Sequence, residues 1–261
     1  MGHGWAWIYG ITSSIGSIAS GILNQSDYTR FLRRQGQQVP GNFFAPFIPG
    51  VLIPIFGILT ASASVKLYGG QPIWNPLQLV IQWMVNDYSA TSRAGAFFAG
   101  LGLFISQASE NITSNGYSAG MDLAGLFPKW INIRRGAIIC SLLSWVVQPW
   151  LFYNTSSVFM ATMSSFSVFL APLTAIMICD FFVLRHGRIE LTHLYVPSKD
   201  GAYWYTYGVN WRAVVTWLVA FVPALPGMIA TLNGHITVSR GAMQFYWGNY
   251  IFGMFIGFYA C

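Results

Sequence analysis

The sequence predicts an all-α membrane protein with about seven transmembrane helices, on three observations. Only 8% of the 261 residues are charged while 54% are apolar, and mean hydropathy is +0.51; a soluble domain carries about 25% charged residues. The apolar residues fall in long uncharged runs, and a helix needs about 20 of them to cross the ~30 Å hydrocarbon core. The 13 Lys and Arg against 7 Asp and Glu give +6, but these charges sit between the runs rather than on one face. That distribution is a topology signal and not the footprint of a nucleic-acid-binding protein.

Cutting the uncharged runs at turn signals gives the spans in order. The first runs from about Trp5 to Asn24, the second from Phe43 to Ser64, and the third from Ala94 to about Tyr117 with one charge, Glu110, inside. The stretch from Ala137 to Cys179 is 43 residues, too long for one crossing. Gln148-Pro149 removes an amide donor and opens a polar patch, so the fourth and fifth spans meet there as a hairpin. The sixth span is Trp211 to Leu232, kinked by Pro223 and Pro226, and the seventh is Met243 to Cys261.

Lys and Arg are retained on the cytoplasmic side of short loops. With the first span running inward, one side collects Arg30, Arg33, Arg34, Lys129, Arg134, Arg135, Arg185, Arg188, Lys199 and Arg212, and the other only Lys66, Arg93 and Arg240. Ten against three fixes the orientation and supports the span count. Met1-Gly2-His3-Gly4 leads into apolar sequence without a basic region, so no cleavable signal peptide is expected. The segment Gly69 to Ser92 holds Trp74, Pro76 and Trp83 and reads as an amphipathic helix along the outer interface. Arg185 to Asn210 is a polar linker with a turn at Lys199-Asp200-Gly201.

An ionisable group in the hydrocarbon zone is costly and is kept facing a cavity, a partner or an ion path. Glu110 lies in Ser106-Gln-Ala-Ser-Glu-Asn-Ile-Thr-Ser-Asn115, polar at all but Ala108 and Ile112. Helical spacing places Ser106, Ser109, Glu110 and Thr113 on one face. Such a face could hold a proton or sodium and hydrogen-bond a small heteroaromatic solute; interhelical polar glue is the plainer alternative. The first span carries Gly10, Ser13, Ser14, Gly16, Ser17, Ser20 and Gly21 within twelve residues. Such a span either packs tightly through small residues, which composition favours, or unwinds and offers bare backbone to a ligand. Pro172, beside Ser164, Ser165, Ser167 and Phe169, makes a bend or a gate.

No cofactor or metal is expected. Cys140, Cys179 and Cys261 have no metal or disulfide spacing, and His3, His186, His193 and His235 never fall two on one face. The glycosylation triplets at Asn111 and Asn154 are expected to stay unmodified, one inside the membrane and one in a tight turn. No nucleophile–base pair or phosphate loop appears, so the chain does not read as an enzyme.

Asn24-Gln-Ser-Asp-Tyr-Thr-Arg30 and Phe127-Pro-Lys-Trp-Ile-Asn-Ile-Arg-Arg-Gly136 resemble signatures of the fungal nucleobase-cation-symport family, which includes uracil, uridine, allantoin and thiamine permeases. Ser-Ala-Gly-Met-Asp122, Ser-Val-Phe-Leu-Ala-Pro-Leu-Thr174 and Cys179-Asp180 extend the likeness over essentially the whole chain. The resemblance implies a twelve-helix inverted-repeat transporter of which residues 1–261 supply helices six to twelve as a single transmembrane domain. The second five-helix repeat would be about 1–185 and two extra helices about 211–261, with the N-terminal repeat absent.

By the same resemblance the first span corresponds to a broken helix, which points to solute contact along Ser13, Ser14 and Ser17. The third span corresponds to the helix whose asparagine binds the solute ring, at Asn115 with Asn111 one turn before, and Ser106, Ser109 and Glu110 fall at the cation site. Glu110 replaces a hydroxyl there, and a carboxylate suits proton coupling. The fifth span corresponds to a gating helix. The implied function is proton-coupled uptake of a nucleobase, nucleoside or allantoin-like solute across the plasma membrane. The alternatives are a thiamine or pyridine-nucleoside permease, and a non-transporting half-protein or remnant that pairs with a full-length paralogue.

Overall fold

A computed structural model describes residues 2–153, 156–196 and 198–260. Met1, the Asn154-Thr155 part of the second glycosylation triplet and Cys261 lie outside the described residues. Among those described, every regular element is helical, and the one β-contact is an isolated bridge between Thr206 and Val209. The order is α1 (His3–Leu23), α2 (Gln25–Thr29), α3 (Val39–Phe47), α4 (Pro49–Tyr68), α5 (Pro76–Asn86) and α6 (Ala90–Glu110). A π-helical turn, Asn111–Gly116, joins α6 to α7 (Tyr117–Leu126), which is followed by α8 (Ile133–Val147) and α9 (Ser156–Ile178). A second π-helical turn, Cys179–Leu184, extends α9. Beyond the linker come α10 (Trp211–Phe221), α11 (Leu225–Leu232), α12 (Arg240–Trp247) and α13 (Asn249–Tyr259).

Local sequence accounts for most boundaries. Side chains of Asn75, Ser89, Asn132, Asn210 and Ser239 accept hydrogen bonds from backbone amides at the starts of α5, α6, α8, α10 and α12. Such a cap satisfies an otherwise orphaned donor and is worth about 1 kcal/mol. Helix α8 ends at Gln148, which takes a left-handed conformation (φ 52°) ahead of Pro149. A residue before proline is pushed out of the right-handed helical region. The expected kink of the sixth span lies at Val222–Ala224, a 3-10 turn containing Pro223, with Pro226 in the first turn of α11. The segment before α6 does fold as a helix, α5.

Among the described residues four stretches are each long and apolar enough to cross a membrane: His3–Leu23, Val39–Tyr68, Ala161–Leu184 and Trp211–Leu232. The other three expected spans depart from a single long helix for separate reasons. The third is interrupted by its polar run and then continues past Tyr117 to Leu126. Helix α8 is only 15 residues long. The seventh breaks at Gly248, between α12 and α13. The second span also bends, at Ile48 before Pro49.

The described chain falls into two compact units, one of them Ser26–Gln148. In this unit α7 and α8 cross at a pair of glycines. A Cβ on Gly136 would lie 2.9 Å from the Cα and carbonyl oxygen of Gly120, and one on Gly120 would collide with the Ile133 carbonyl. Gly120 belongs to Ser-Ala-Gly-Met-Asp122 and Gly136 closes the longer signature, so two separate stretches of sequence form one crossing. Ser64 on α4 accepts from the Ile73 amide at 2.9 Å.

The other unit contains α1 and α9 to α13, with a core of Val168, Phe221, Ala224 and Tyr246. Helix α9 is its axis. Gly16 of α1 sits against the Met163 carbonyl and Ser167, and Asn249, Gly253 and Gly257 line the buried face of α13. That i, i+4, i+8 stripe lets α13 approach α9 around Pro172, as small residues do between membrane helices. The Trp217 indole donates to the Phe169 carbonyl at 2.9 Å, in the turn where Pro172 disturbs the helical ladder. A Cβ at Gly257 would lie 3.0 Å from both Ala175 Cβ and the Pro172 carbonyl oxygen. Gly257→Val is therefore expected to destabilise this unit by about 1–3 kcal/mol through overpacking, read as a lower melting temperature in detergent. A Gly21→Val control, where nothing stands within 4 Å, should not shift it.

Candidate functional site

The run predicted to carry chemistry adopts the π-helical turn Asn111–Gly116, in which the Tyr117 amide bonds the Ile112 carbonyl five residues back. Short polar side chains compete with the backbone ladder, which favours such irregularity. Thr113 Oγ1 donates to the Ser109 carbonyl at 2.8 Å and Gly116 ends the turn. π-helical turns are rare and concentrate at functional sites.

The turn organises its side chains in two i, i+4 pairs. Ser114 Oγ donates to Glu110 Oε1 at 2.5 Å, and Asn115 Nδ2 donates to Asn111 Oδ1 at 3.0 Å. Glu110, Asn111 and Asn115 are exposed within this chain, as are Ser106 and Ser109. One carboxylate oxygen, the Asn115 Oδ1 acceptor and the Asn111 Nδ2 donor are not used by these two bonds. A carboxylate beside two carboxamides can pair with a cation and bond both donors and acceptors of a heterocycle.

Tyr28, from the first signature, reaches the same turn. Its hydroxyl lies 2.9 Å from the Ser114 carbonyl oxygen and 2.6 Å from Ser118 Oγ, and its ring stands 6.0 Å from that of Tyr117. Phe31 meets Tyr117 edge-on at 5.9 Å. Asp122 lies one turn further along α7. Sequence reasoning assigned Tyr28 no role. The available signal was the one aromatic ring inside a signature otherwise made of polar and charged residues, and its partner lies 86 residues away.

In the other unit α1 is unbroken from His3 to Leu23, and the chain leaves the helix only at Asn24. The break implied inside the glycine- and serine-rich stretch is therefore not present; close packing on α9 holds the backbone helical. Ser13 is buried and shares a 2.7 Å hydrogen bond with Ser164 of α9. Ser14 and Ser17 are exposed and donate to the carbonyls of Gly10 and Ser14 at 2.9 and 2.7 Å. The network continues from Ser167 Oγ to Asn249 Oδ1, and from Asn249 Nδ2 to the Tyr246 carbonyl. Ser13→Ala leaves Ser164 without that partner and is expected to cost about 0.5–1 kcal/mol in stability, whereas Ser14→Ala costs little. Thermal unfolding of the two variants side by side checks this.

The end of α9 carries a second polar cluster. Arg185 Nε bonds Asp180 at 2.8 Å, its guanidinium stands 4.3 Å from the Tyr203 ring centroid, and it donates to Tyr205 Oη at 2.5 Å. The bond to Asp180 raises the Arg185 pKa further above its ordinary value. This cluster ties the polar linker to α9. The Lys199-Asp200-Gly201 turn closes with the Gly201 amide on the Ser198 carbonyl at 3.0 Å. Among the described residues no group of three His, Cys, Asp or Glu side chains could hold a metal.

A family model described as permeases for cytosine/purines, uracil, thiamine and allantoin matches residues 2–253. The chain belongs to this family. The chain is 44% identical over 255 residues to nicotinamide riboside transporter 1 of Saccharomyces cerevisiae, covering 98% of this chain and 42% of that protein. Over the same spans it is 42% identical to the thiamine transporter of that yeast. To its uracil permease it is 32% identical over 258 residues, 97% of this chain and 40% of the relative. The chain thus spans about two-fifths of the length of these relatives. No solved structure matches it. The chain is an all-α, multi-pass membrane protein, and its family is one of transporters, not of enzymes.

Proposed function

We propose that this chain supplies the solute-binding part of a plasma-membrane permease whose solute is a cationic heteroaromatic of the thiamine or pyridine-nucleoside type. The observation that carries the reading is a carboxylate, Glu110, at the head of a polar π-helical turn that follows the apolar stretch Ala94 to Ile105 of α6. Thiazolium and N-substituted pyridinium rings carry a permanent positive charge, and an acidic side chain within the hydrocarbon zone is kept where it meets such a charge or an ion. Asn111 and Asn115 hydrogen-bond the polar groups of the solute. Ser106 and Ser109 belong with Glu110 to the coupling-ion site, for a proton or sodium.

Relative identity supports this choice of solute. Proteins named for nicotinamide riboside and thiamine stand at 44% and 42%, against 31–34% for those named for uracil, uridine and allantoin. The neutral nucleobase, nucleoside or allantoin solute is the second reading, supported by the Asn111–Asn115 pair, whose donor and acceptor match a neutral ring equally well.

Competition decides among them. In cells lacking their own uptake of these solutes, labelled thiamine entering through the native-length protein should be displaced by unlabelled thiamine and nicotinamide riboside and not by uracil or allantoin. Displacement by uracil supports the second reading, and absence of uptake of every labelled solute overturns both.

A further inference from the structure

We propose that Tyr28 is a positioning residue for the candidate solute site, fixing the π-helical turn that presents Glu110, Asn111 and Asn115; the inference rests on the reading of that turn as the solute site. A phenol has one proton to donate. The Ser114 carbonyl can only accept, so the Tyr28 hydroxyl donates to it at 2.9 Å and takes a hydrogen bond from Ser118 Oγ at 2.6 Å in return. Ser114 lies between the two asparagines and also donates its own hydroxyl to Glu110. Its carbonyl is held by Tyr28 and its side chain by the carboxylate, so displacing the phenol moves the residue that orients Glu110 and precedes Asn115.

The rest of the segment supports the contact. Phe31 and Tyr28 both rest on the Tyr117 ring, the first residue of α7, so the phenol cannot swing away without breaking a three-ring cluster. Ser118 is buried and Tyr28 half-buried, which keeps water from substituting freely for either bond. A π-helical turn is rarer than the α-helix it interrupts, and here it has an outside donor on the carbonyl side of its widened backbone.

The test is Tyr28→Phe in the native-length protein, which keeps the ring on Tyr117 and deletes the hydroxyl. Two readouts are taken: labelled-thiamine uptake with surface abundance, and hydrogen–deuterium exchange of the peptide covering 109–118 in lipid nanodiscs. The expected result is a KM raised about tenfold, as loss of one hydrogen-bonded contact allows, with abundance unchanged and faster exchange across Asn111–Gly116. Ser118→Ala, which keeps the bond to the Ser114 carbonyl, should change both readouts less. A variant with lower abundance but unchanged KM and exchange would make Tyr28 a packing residue and overturn the proposal.

Asn115→Ala in the same assay separates the two claims. If Asn115→Ala is silent, the solute-site reading fails, while exchange in Tyr28→Phe still judges the contact with the turn. If Asn115→Ala removes uptake and Tyr28→Phe alters neither readout, only the positioning role fails. Without measurable thiamine uptake, unchanged exchange alone overturns it.

Discussion

Asn115→Ala is expected to reduce uptake through the native-length protein by between about tenfold and a hundredfold, with surface abundance unchanged. A carboxamide offers a donor and an acceptor, and each bond between protein and solute is worth about 0.5–1.5 kcal/mol net. A site built to hydrogen-bond its solute loses more than a purely apolar pocket, because the solute's own polar groups are left unpaired. Truncation also removes the bond from Asn115 Nδ2 to Asn111 Oδ1, freeing the second carboxamide to rotate. The measurement is initial-rate uptake of labelled thiamine beside quantitative surface labelling. Full uptake at normal abundance would remove Asn115, and the π-helical turn with it, from the solute path.

Glu110→Gln is the second large effect, and its form identifies the role of the carboxylate. The substitution keeps the size of the side chain and an acceptor for Ser114, so the turn should persist. As countercharge to a cationic ring, Glu110 contributes more than a neutral partner does. Its loss should raise the KM for thiamine about tenfold or more and improve competition by neutral uracil relative to thiamine. As the carrier of the coupling proton, its loss should instead flatten the pH dependence of uptake while leaving competition order unchanged. Uptake that changes in neither respect would make Glu110 a structural partner of Ser114 alone.

Much of the architecture was legible in the sequence because its causes are local. Hydropathy marks the apolar helices. Gln148-Pro149 ends α8 because proline removes a donor and constrains its predecessor, and Pro223 and Pro226 bend the sixth span for the same reason. Asn75, Ser89, Asn132, Asn210 and Ser239 start helices with their own side chains. The choice between packing and unwinding in the first span was not local. Gly16 and Ser13 meet α9 about 150 residues on, and that contact keeps α1 helical where the resemblance implied a break.

The site divides in the same way. Its residue types could be read directly, since a carboxylate and two asparagines in an apolar helix need no neighbour to stand out. The widened backbone could not. The i, i+4 spacing of a regular helix already sets Asn115 one turn after Asn111 and Ser114 one turn after Glu110, but nothing in that spacing marks the π-helical turn over Asn111–Gly116.

The sequence by itself therefore determined that this protein is an all-α membrane chain, where it turns, and which polar side chains its apolar helices carry. Each of those follows from transfer free energy or from the backbone chemistry of single residues. Only the tertiary structure decided that Ser13 pairs with Ser164, that Gly120 meets Gly136, and that Tyr28 holds the Ser114 carbonyl. A hydroxyl or a glycine carries no record of its partner, because a hydrogen bond or a close approach is a property of two positions that the fold brings together.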